Sequence, residues 1–132
     1  MLILKKELLK RITEHALREF PNEACGILAG SHERVKKVYE MVNVEKSPQT
    51  FFMDAKEQLK VMKEIRKEGH EMIGIYHSHV ASEAYPSSHD LELALYPEAS
   101  YVIISIKDKK NPSVRSFKIV EGKIIEEELE IE

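Results

Sequence analysis

The sequence predicts a mixed domain of the α+β class. Two segments, 6–20 and 55–67, carry apolar residues at helical spacing and are longer than a typical strand. Because the chain has 132 residues, enough for one core but not for two, we expect a single domain over 1–132. Short runs rich in β-forming residues predict strands at 2–4, 24–29, 35–44, 72–76, 101–106, 114–120 and 123–130.

The first helical segment carries its apolar residues on one face. We expect these residues to face the core, whereas His15 should lie on the helix surface. Pro21 ends the helix, and the strands 24–29 and 35–44 are predicted to form a hairpin. The apolar residues at helical spacing are Leu8, Leu9, Ile12, Ala16 and Leu17.

The second helix has start and stop signals in the sequence. Asp54 is the predicted N-cap of the helix 55–67, and Gly69 is predicted to end it. The residues before it, 50–53, should form a short extended segment. The core face of this helix is predicted to contain Leu59, Met62 and Ile65.

The C-terminal part of the chain predicts a second hairpin. Glu121-Gly122 separates the strands 114–120 and 123–130 and is typical of a tight turn. The acidic run 126–128 should be a solvated edge or tail.

Chemistry-bearing residues concentrate between His77 and Asp90. Residues two apart on a strand share a face, so the run 72–76 should deliver His77 and His79 to the same side while Ser78 points away. Asp90 lies in the first turn of the apolar-periodic segment that follows. Two imidazoles and one carboxylate make three protein ligands, which is the set of a catalytic zinc with an open fourth position.

A structural interpretation of the same residues is also available. Ser87 and Asp90 fit a helix capping box, with serine at the N-cap and a carboxylate three positions later. Capping explains neither the pair of His77 and His79 nor its place at the end of a strand. The two interpretations are compatible, because a first-turn aspartate can lie at a helix N-terminus and also bind a metal.

The order of these residues resembles a known motif. His77-Ser78-His79, seven residues, Ser87, two residues and Asp90 match the JAMM motif of the MPN family of zinc metallopeptidases. That family also has an upstream glutamate, and the stretch 23–30, which begins with Glu23, is similar to the segment that carries it. The similarity extends over nearly the whole chain.

The resemblance implies a fold, a cofactor and residue roles. The implied fold is a curved mixed β-sheet flanked by helices, of the cytidine-deaminase-like type. One Zn²⁺ per chain would be held by His77, His79 and Asp90. Glu23 would be the general acid and base, and Ser87 would donate a hydrogen bond to the oxyanion. Taken without the resemblance, Glu23 is more simply a solvated carboxylate at the start of a strand.

Two other chemistries are disfavoured, one by the position of Cys25 and one by the number of cysteines. Cys25 lies inside an apolar strand, so a buried structural role is favoured over that of a thiol nucleophile. A zinc deaminase would need a Pro-Cys-x-x-Cys pattern, and the chain has one cysteine.

Composition limits the partners and the compartment. The formal net charge of −3 disfavours nucleic acid as a main partner. No apolar run is long enough to span a membrane, and Lys5 and Lys6 directly follow the short apolar start, unlike a secretory signal. A single cysteine forms no internal disulfide, so we expect a cytoplasmic protein. The sequence does not determine the oligomeric state.

The resemblance also implies a class of substrate. Members of the family hydrolyse isopeptide or peptide bonds after the tail of ubiquitin or ubiquitin-like proteins. The short segment after Asp90 is similar to the compact prokaryotic form, and the loop 81–87 resembles the branch that releases cysteine from a sulfur-carrier protein. A non-catalytic MPN scaffold and a small-molecule amidohydrolase are the alternatives. The substrate-binding residues stay unassigned.

Overall fold

The computed structural model describes residues 1–132 as eight strands and three helices. None of the three helices combines the length and the apolar composition that crossing a lipid bilayer requires. The elements in chain order are β1 (Leu2–Leu4), α1 (Lys6–Glu19), β2 (Cys25–Ser31), β3 (Arg34–Met41), α2 (Ala55–Lys67), β4 (Glu71–His79), α3 (Ser88–Glu92), β5 (Ser100–Ser105), β6 (Ser113–Val120), β7 (Lys123–Glu127) and β8 (Leu129–Ile131).

All eight strands belong to one mixed sheet. Their order is β7-β6-β5-β4-β2-β3-β1-β8, so β4 lies at the centre between β2 and β5. β4 pairs antiparallel with β2 and parallel with β5. This confirms the predicted α+β class with a mixed sheet, and it places the strand that carries both site histidines where neighbours hold it on each side.

Each face of the sheet is covered by one of the long helices. The apolar side chains of one face pack with Ile12 and Ala16 of α1. Those of the other face pack with Val61 and Ile65 of α2. Since alternate residues of a strand point to opposite faces, β4 sends Tyr76 towards the α1 side and its neighbours towards the α2 side.

The prediction for one face of α1 was partly wrong. His15 is 3% exposed rather than on the surface, and its Nδ1 lies 2.7 Å from the Tyr76 hydroxyl. Leu17, predicted in the core, is exposed. The ring of Tyr76 fills the space above Gly26, where a Cβ would overlap it, so the hydroxyl reaches the helix and gives the buried imidazole a partner.

The N-cap prediction for α2 is confirmed, but its buried face differs from the predicted one. The Asp54 carboxylate accepts a hydrogen bond from the backbone N–H of Glu57 at 3.1 Å. Leu59 is 62% exposed, and Val61 takes the buried position together with Ile65. The helix ends before Gly69, whose φ of 78° is in the left-handed region that favours glycine.

The last two strands of the chain lie at opposite edges of the sheet. The tight turn at Glu121-Gly122 is confirmed, but the predicted strand 123–130 is divided after Glu127 into β7 and β8. β7 pairs with β6, whereas β8 pairs in parallel with β1 at the opposite edge. The prediction of a solvated acidic run was wrong for Glu127, whose carboxylate is largely buried and accepts hydrogen bonds from the Ser100 and Ser116 hydroxyls.

Candidate metal centre

Three side chains converge where β4 ends and α3 begins. Nε2 of His77 lies 3.2 Å from Nε2 of His79. The Asp90 Oδ2 atom lies 3.1 Å from the first of these nitrogens and 3.0 Å from the second. All three side chains are buried, and their ligand atoms form a group that can hold a metal ion.

The donor atoms fit zinc. In a tetrahedral site with bonds of about 2.0–2.1 Å, two ligand atoms lie about 3.3 Å apart. The three separations of 3.0, 3.1 and 3.2 Å are close to that edge length. Two imidazoles and one carboxylate also match the ligand preference of zinc, and three protein ligands leave a fourth position open.

The local hydrogen bonds orient the histidines. Nδ1–H of His79 donates to the Glu83 carbonyl at 2.8 Å, which leaves Nε2 free to bind a metal. The ring of His77 stacks on Phe51, with centroids 4.6 Å apart. Ser78 points to the opposite face, where its hydroxyl accepts a hydrogen bond from Ala24 N–H at 2.8 Å. The predicted alternation along the strand is therefore present.

The pKa shifts of His77 and Asp90 favour metal binding. Burial lowers the pKa of His77, which keeps this imidazole in its neutral, ligating form. Burial alone would raise the pKa of Asp90, but hydrogen bonds from His77 and His79 outweigh it and lower that pKa, so the carboxylate is ionised. A neutral imidazole and an ionised carboxylate are the forms in which these side chains bind zinc. In the metal-free protein, burial alone would lower the pKa of His79, but hydrogen bonding to Asp90 outweighs it and raises that pKa, so zinc binding would displace a proton from this ligand.

The capping box and the metal group share Asp90. The Ser87 hydroxyl accepts a hydrogen bond from Asp90 N–H at 3.1 Å, and Asp90 Oδ2 accepts one from Ser87 N–H at 2.9 Å. The helix cap and the metal group that the sequence predicts are therefore both present in the structure. Because the Ser87 oxygen serves as an acceptor in the cap, its O–H remains available to donate to another group.

Glu23 lies two residues before the start of β2 and is only 3% exposed. Its Oε1 atom has no hydrogen-bond partner. Burial raises the pKa of this carboxyl to about 8, with a smaller raising effect from Asp90 and a lowering effect from His79. A buried carboxyl with a free oxygen and a pKa near neutrality has the properties of a general acid and base.

The raised pKa predicts how stability depends on pH in metal-free protein. A folded-state pKa of about 8 exceeds the unfolded value, so the stability contributed by neutral Glu23 is present at low pH and lost as the pH rises through 8. Glu23→Gln removes this dependence. In chelator-treated protein, we compare the free energy of unfolding of the variant with that of the wild type. From about pH 5 to about pH 9, we expect this difference to change in favour of the variant by on the order of a few kcal/mol. Urea unfolding at both pH values measures the gain, and an equal difference at both would contradict the assignment.

Cys25 is a structural residue. Its side chain is fully buried within the apolar cluster on the α2 side of the sheet. Burial raises the pKa of its thiol to about 12, which leaves negligible thiolate at neutral pH. The prediction of a buried structural cysteine is confirmed.

The contacts that Asn43 and Phe51 make at this site were not predicted from the sequence. Asn43 donates hydrogen bonds to the backbone carbonyls of Glu23 and Thr50, and Phe51 covers the ring of His77. Both lie in the connection between β3 and α2, which carried no recognisable motif. The segment 50–53 forms no strand, although Phe51 and Met53 are buried.

The fold and this site define a metallopeptidase of the JAMM type. Residues 5–120 match a protein family described as prokaryotic homologs of the JAB domain. The chain is 39% identical over 133 residues to the CysO-cysteine peptidase of Mycobacterium tuberculosis, covering 99% of this chain and 91% of that protein. It is 36% identical over 123 residues to a probable TtuB-protein conjugate cleaving protease of Thermus thermophilus, covering 92% and 78%. The chain belongs to the prokaryotic JAB family.

Solved structures agree with the fold. A solution structure of a Desulfitobacterium hafniense protein matches with a TM-score of 0.91 at 40% identity, over 100% of this chain and 93% of that one. The crystal structure of a JAB1/MPN domain protein from Archaeoglobus fulgidus matches with a TM-score of 0.67 at 24% identity, over 99% and 96%. The predicted MPN/JAMM fold is confirmed.

Proposed function

We propose that this protein is a zinc-dependent peptidase that hydrolyses the amide bond after the C-terminal tail of a ubiquitin-like or sulfur-carrier protein. One observation carries the proposal: His77, His79 and Asp90 converge beside the buried carboxyl of Glu23. A non-catalytic scaffold has no need for a complete ligand set next to such a carboxyl. We further propose that 1–132 acts as one domain and works in the cytoplasm, consistent with one free cysteine.

The proposed chemistry assigns one role to each side chain. His77, His79 and Asp90 would hold the ion, and zinc, when bound, would supply the Lewis acidity that activates water and polarises a carbonyl. The unpartnered Oε1 atom of Glu23 accepts a proton from the attacking water and returns it to the leaving amine.

Ser87 is proposed to stabilise the transition state. Its hydroxyl oxygen accepts the capping hydrogen bond from Asp90 N–H. The O–H therefore donates to the oxyanion that develops on the substrate carbonyl. The capping box fixes the position of this donor, because the serine is held from both its backbone and its side chain.

Two segments are proposed to border the channel for the substrate tail. Phe51, from the segment 50–53, stacks on His77, while Glu83, from the segment 80–86, accepts a hydrogen bond from His79. Each segment thus touches one metal ligand and also presents an aromatic side chain to solvent, because Phe52 and Tyr85 are each 48% exposed. A narrow tail laid between them by backbone pairing would suit a Gly-Gly terminus.

The names of the relatives support this class of substrate. The Mycobacterium tuberculosis relative is called a CysO-cysteine peptidase, and the Thermus thermophilus relative is called a probable TtuB-protein conjugate cleaving protease. We therefore propose that a sulfur-carrier protein with a C-terminal cysteine is hydrolysed to release that cysteine.

A set of three substrates tests the proposal. We expect rapid cleavage of a sulfur-carrier protein bearing a C-terminal cysteine, measured as released cysteine by mass spectrometry. The same carrier with Gly-Gly changed to Ala-Ala should be cleaved at least about tenfold more slowly, because a Cβ would crowd the tail near the zinc. A linked ubiquitin dimer should also be a poor substrate. Equal cleavage of both carriers would contradict the narrow channel, and preference for the dimer would indicate a deubiquitinating enzyme.

A further inference from the structure

The buried side chain of Asn43 uses its full hydrogen-bonding capacity. It is 4% exposed. Its Nδ2 donates to the carbonyls of Glu23 and Thr50 at 3.1 and 3.0 Å. Its Oδ1 accepts from the N–H groups of Glu45 and Phe52 at 3.1 and 3.2 Å. Two carbonyls and two N–H groups around one amide fix its orientation.

These contacts hold the backbone of Glu23. The residue precedes the first paired residue of β2, Cys25, so the sheet does not bind its backbone groups. Its carbonyl instead accepts the hydrogen bond from Asn43, and its N–H donates to the Ser47 carbonyl at 2.8 Å. Both backbone groups of Glu23 therefore bind the connection 42–54 between β3 and α2.

The same amide also fixes the ring beside a metal ligand. Phe51 lies between Thr50 and Phe52, whose backbone groups both bind Asn43. Its ring stacks on His77 with an interplanar angle of 25°. One side chain thus connects the carboxyl-bearing residue to the aromatic cover of the metal group.

We propose that Asn43 is a positioning residue that sets Glu23 relative to His77, His79 and Asp90. Asn43 does not touch the substrate and acts through the backbone of Glu23. The inference rests on the proposed role of Glu23 in proton transfer. Because a misplacement of about 1 Å can cost two powers of ten in rate, loss of this amide affects catalysis more than substrate binding.

A double-mutant cycle tests this coupling. Asn43→Ala is measured alone and together with Glu23→Gln, using the sulfur carrier with a C-terminal cysteine under single-turnover and steady-state conditions. In the native background we expect kcat to fall by roughly tenfold or more, with KM and zinc content changed by less than about twofold. In the Glu23→Gln background, the same substitution should lower the rate by less than about twofold.

Asn43→Asp gives a second variant if the alanine variant does not fold. The aspartate keeps an oxygen for the N–H groups of Glu45 and Phe52 but places its other oxygen against the carbonyls of Glu23 and Thr50. It should lower kcat at least as much as alanine does. Asn111→Asp, the same change in an exposed turn, is the matched control and should leave kcat unchanged.

Each outcome bears on a different part of the inference. Equal losses of rate in both backgrounds, or an unchanged kcat in the Asn43 variants, would overturn the coupling between Asn43 and Glu23. Full activity of Glu23→Gln by itself would instead overturn the proposed function of Glu23, and the inference about Asn43 with it.

Discussion

Glu23→Gln is expected to lower kcat by roughly two powers of ten or more while zinc occupancy stays at the wild-type level. Glutamine has nearly the same shape and can occupy the same buried position, but it cannot accept and return a proton. Because Glu23 lies outside the group of three ligand atoms, the substitution removes no metal ligand. Zinc content by elemental analysis and kcat for the cysteine-bearing carrier measure the two effects.

Glu45→Gln is the matched control for that experiment. Glu45 is an exposed carboxylate on the connection that binds Glu23, and its charge raises the pKa of Glu23 only slightly compared with burial. Its substitution should change kcat by less than about twofold, since an exposed charge is screened by solvent. Loss of zinc together with activity in Glu23→Gln would show that Glu23 is a metal ligand and that the proposed role is wrong.

Replacing any one of His77, His79 and Asp90 with alanine is expected to abolish both zinc binding and hydrolysis. Loss of a residue that only supports a ligand costs roughly 10–100-fold in affinity, so loss of a ligand itself should cost more. Wild-type protein purified without chelator should contain about one zinc per chain, as expected for a catalytic site with three protein ligands and an open fourth position. Elemental analysis and hydrolysis of the carrier are the measurements.

Two further variants serve as controls for the metal experiment. Asp90→Asn keeps a side-chain oxygen for the Ser87 N–H, so it separates loss of the metal from loss of the helix cap. His32→Asn is the control histidine, because His32 is exposed and has a φ of 52°, which asparagine tolerates. Full zinc content in the three alanine variants would contradict the site.

The metal group was predictable because its signals are local in sequence. His77 and His79 share a face through strand alternation alone, and Ser87 and Asp90 lie within one helical turn. The structure brings these residues together as expected, while the catalytic roles of Glu23 and Ser87 stay predictions. The position of Glu23 followed only from the resemblance, because its carboxyl reaches the site through the tertiary fold and not through a local spacing.

The errors share a physical cause: periodicity shows that a residue can be buried but not what covers it. The predictions failed for His15, which is buried against Tyr76 on a strand far along the chain, and for Leu59, which no element covers. The carboxylate of Glu127 is largely buried and accepts hydrogen bonds from two serine hydroxyls on neighbouring strands. The acidic run in the sequence does not predict these partners. Asn43 was missed for the same reason, since its four partners are backbone groups that the sequence pattern does not place next to it.

The parallel pairing of β1 with β8 has a consequence for the order of folding. Leu2 pairs with Leu129, so the first and last strands meet across almost the whole chain. Contacts so distant in sequence require a costly loop closure and slow the folding transition to which they belong. The metal group needs only β2, β4, β5 and the start of α3, all encoded earlier. The central strands can therefore assemble around His77 and His79 before β8 pairs with β1.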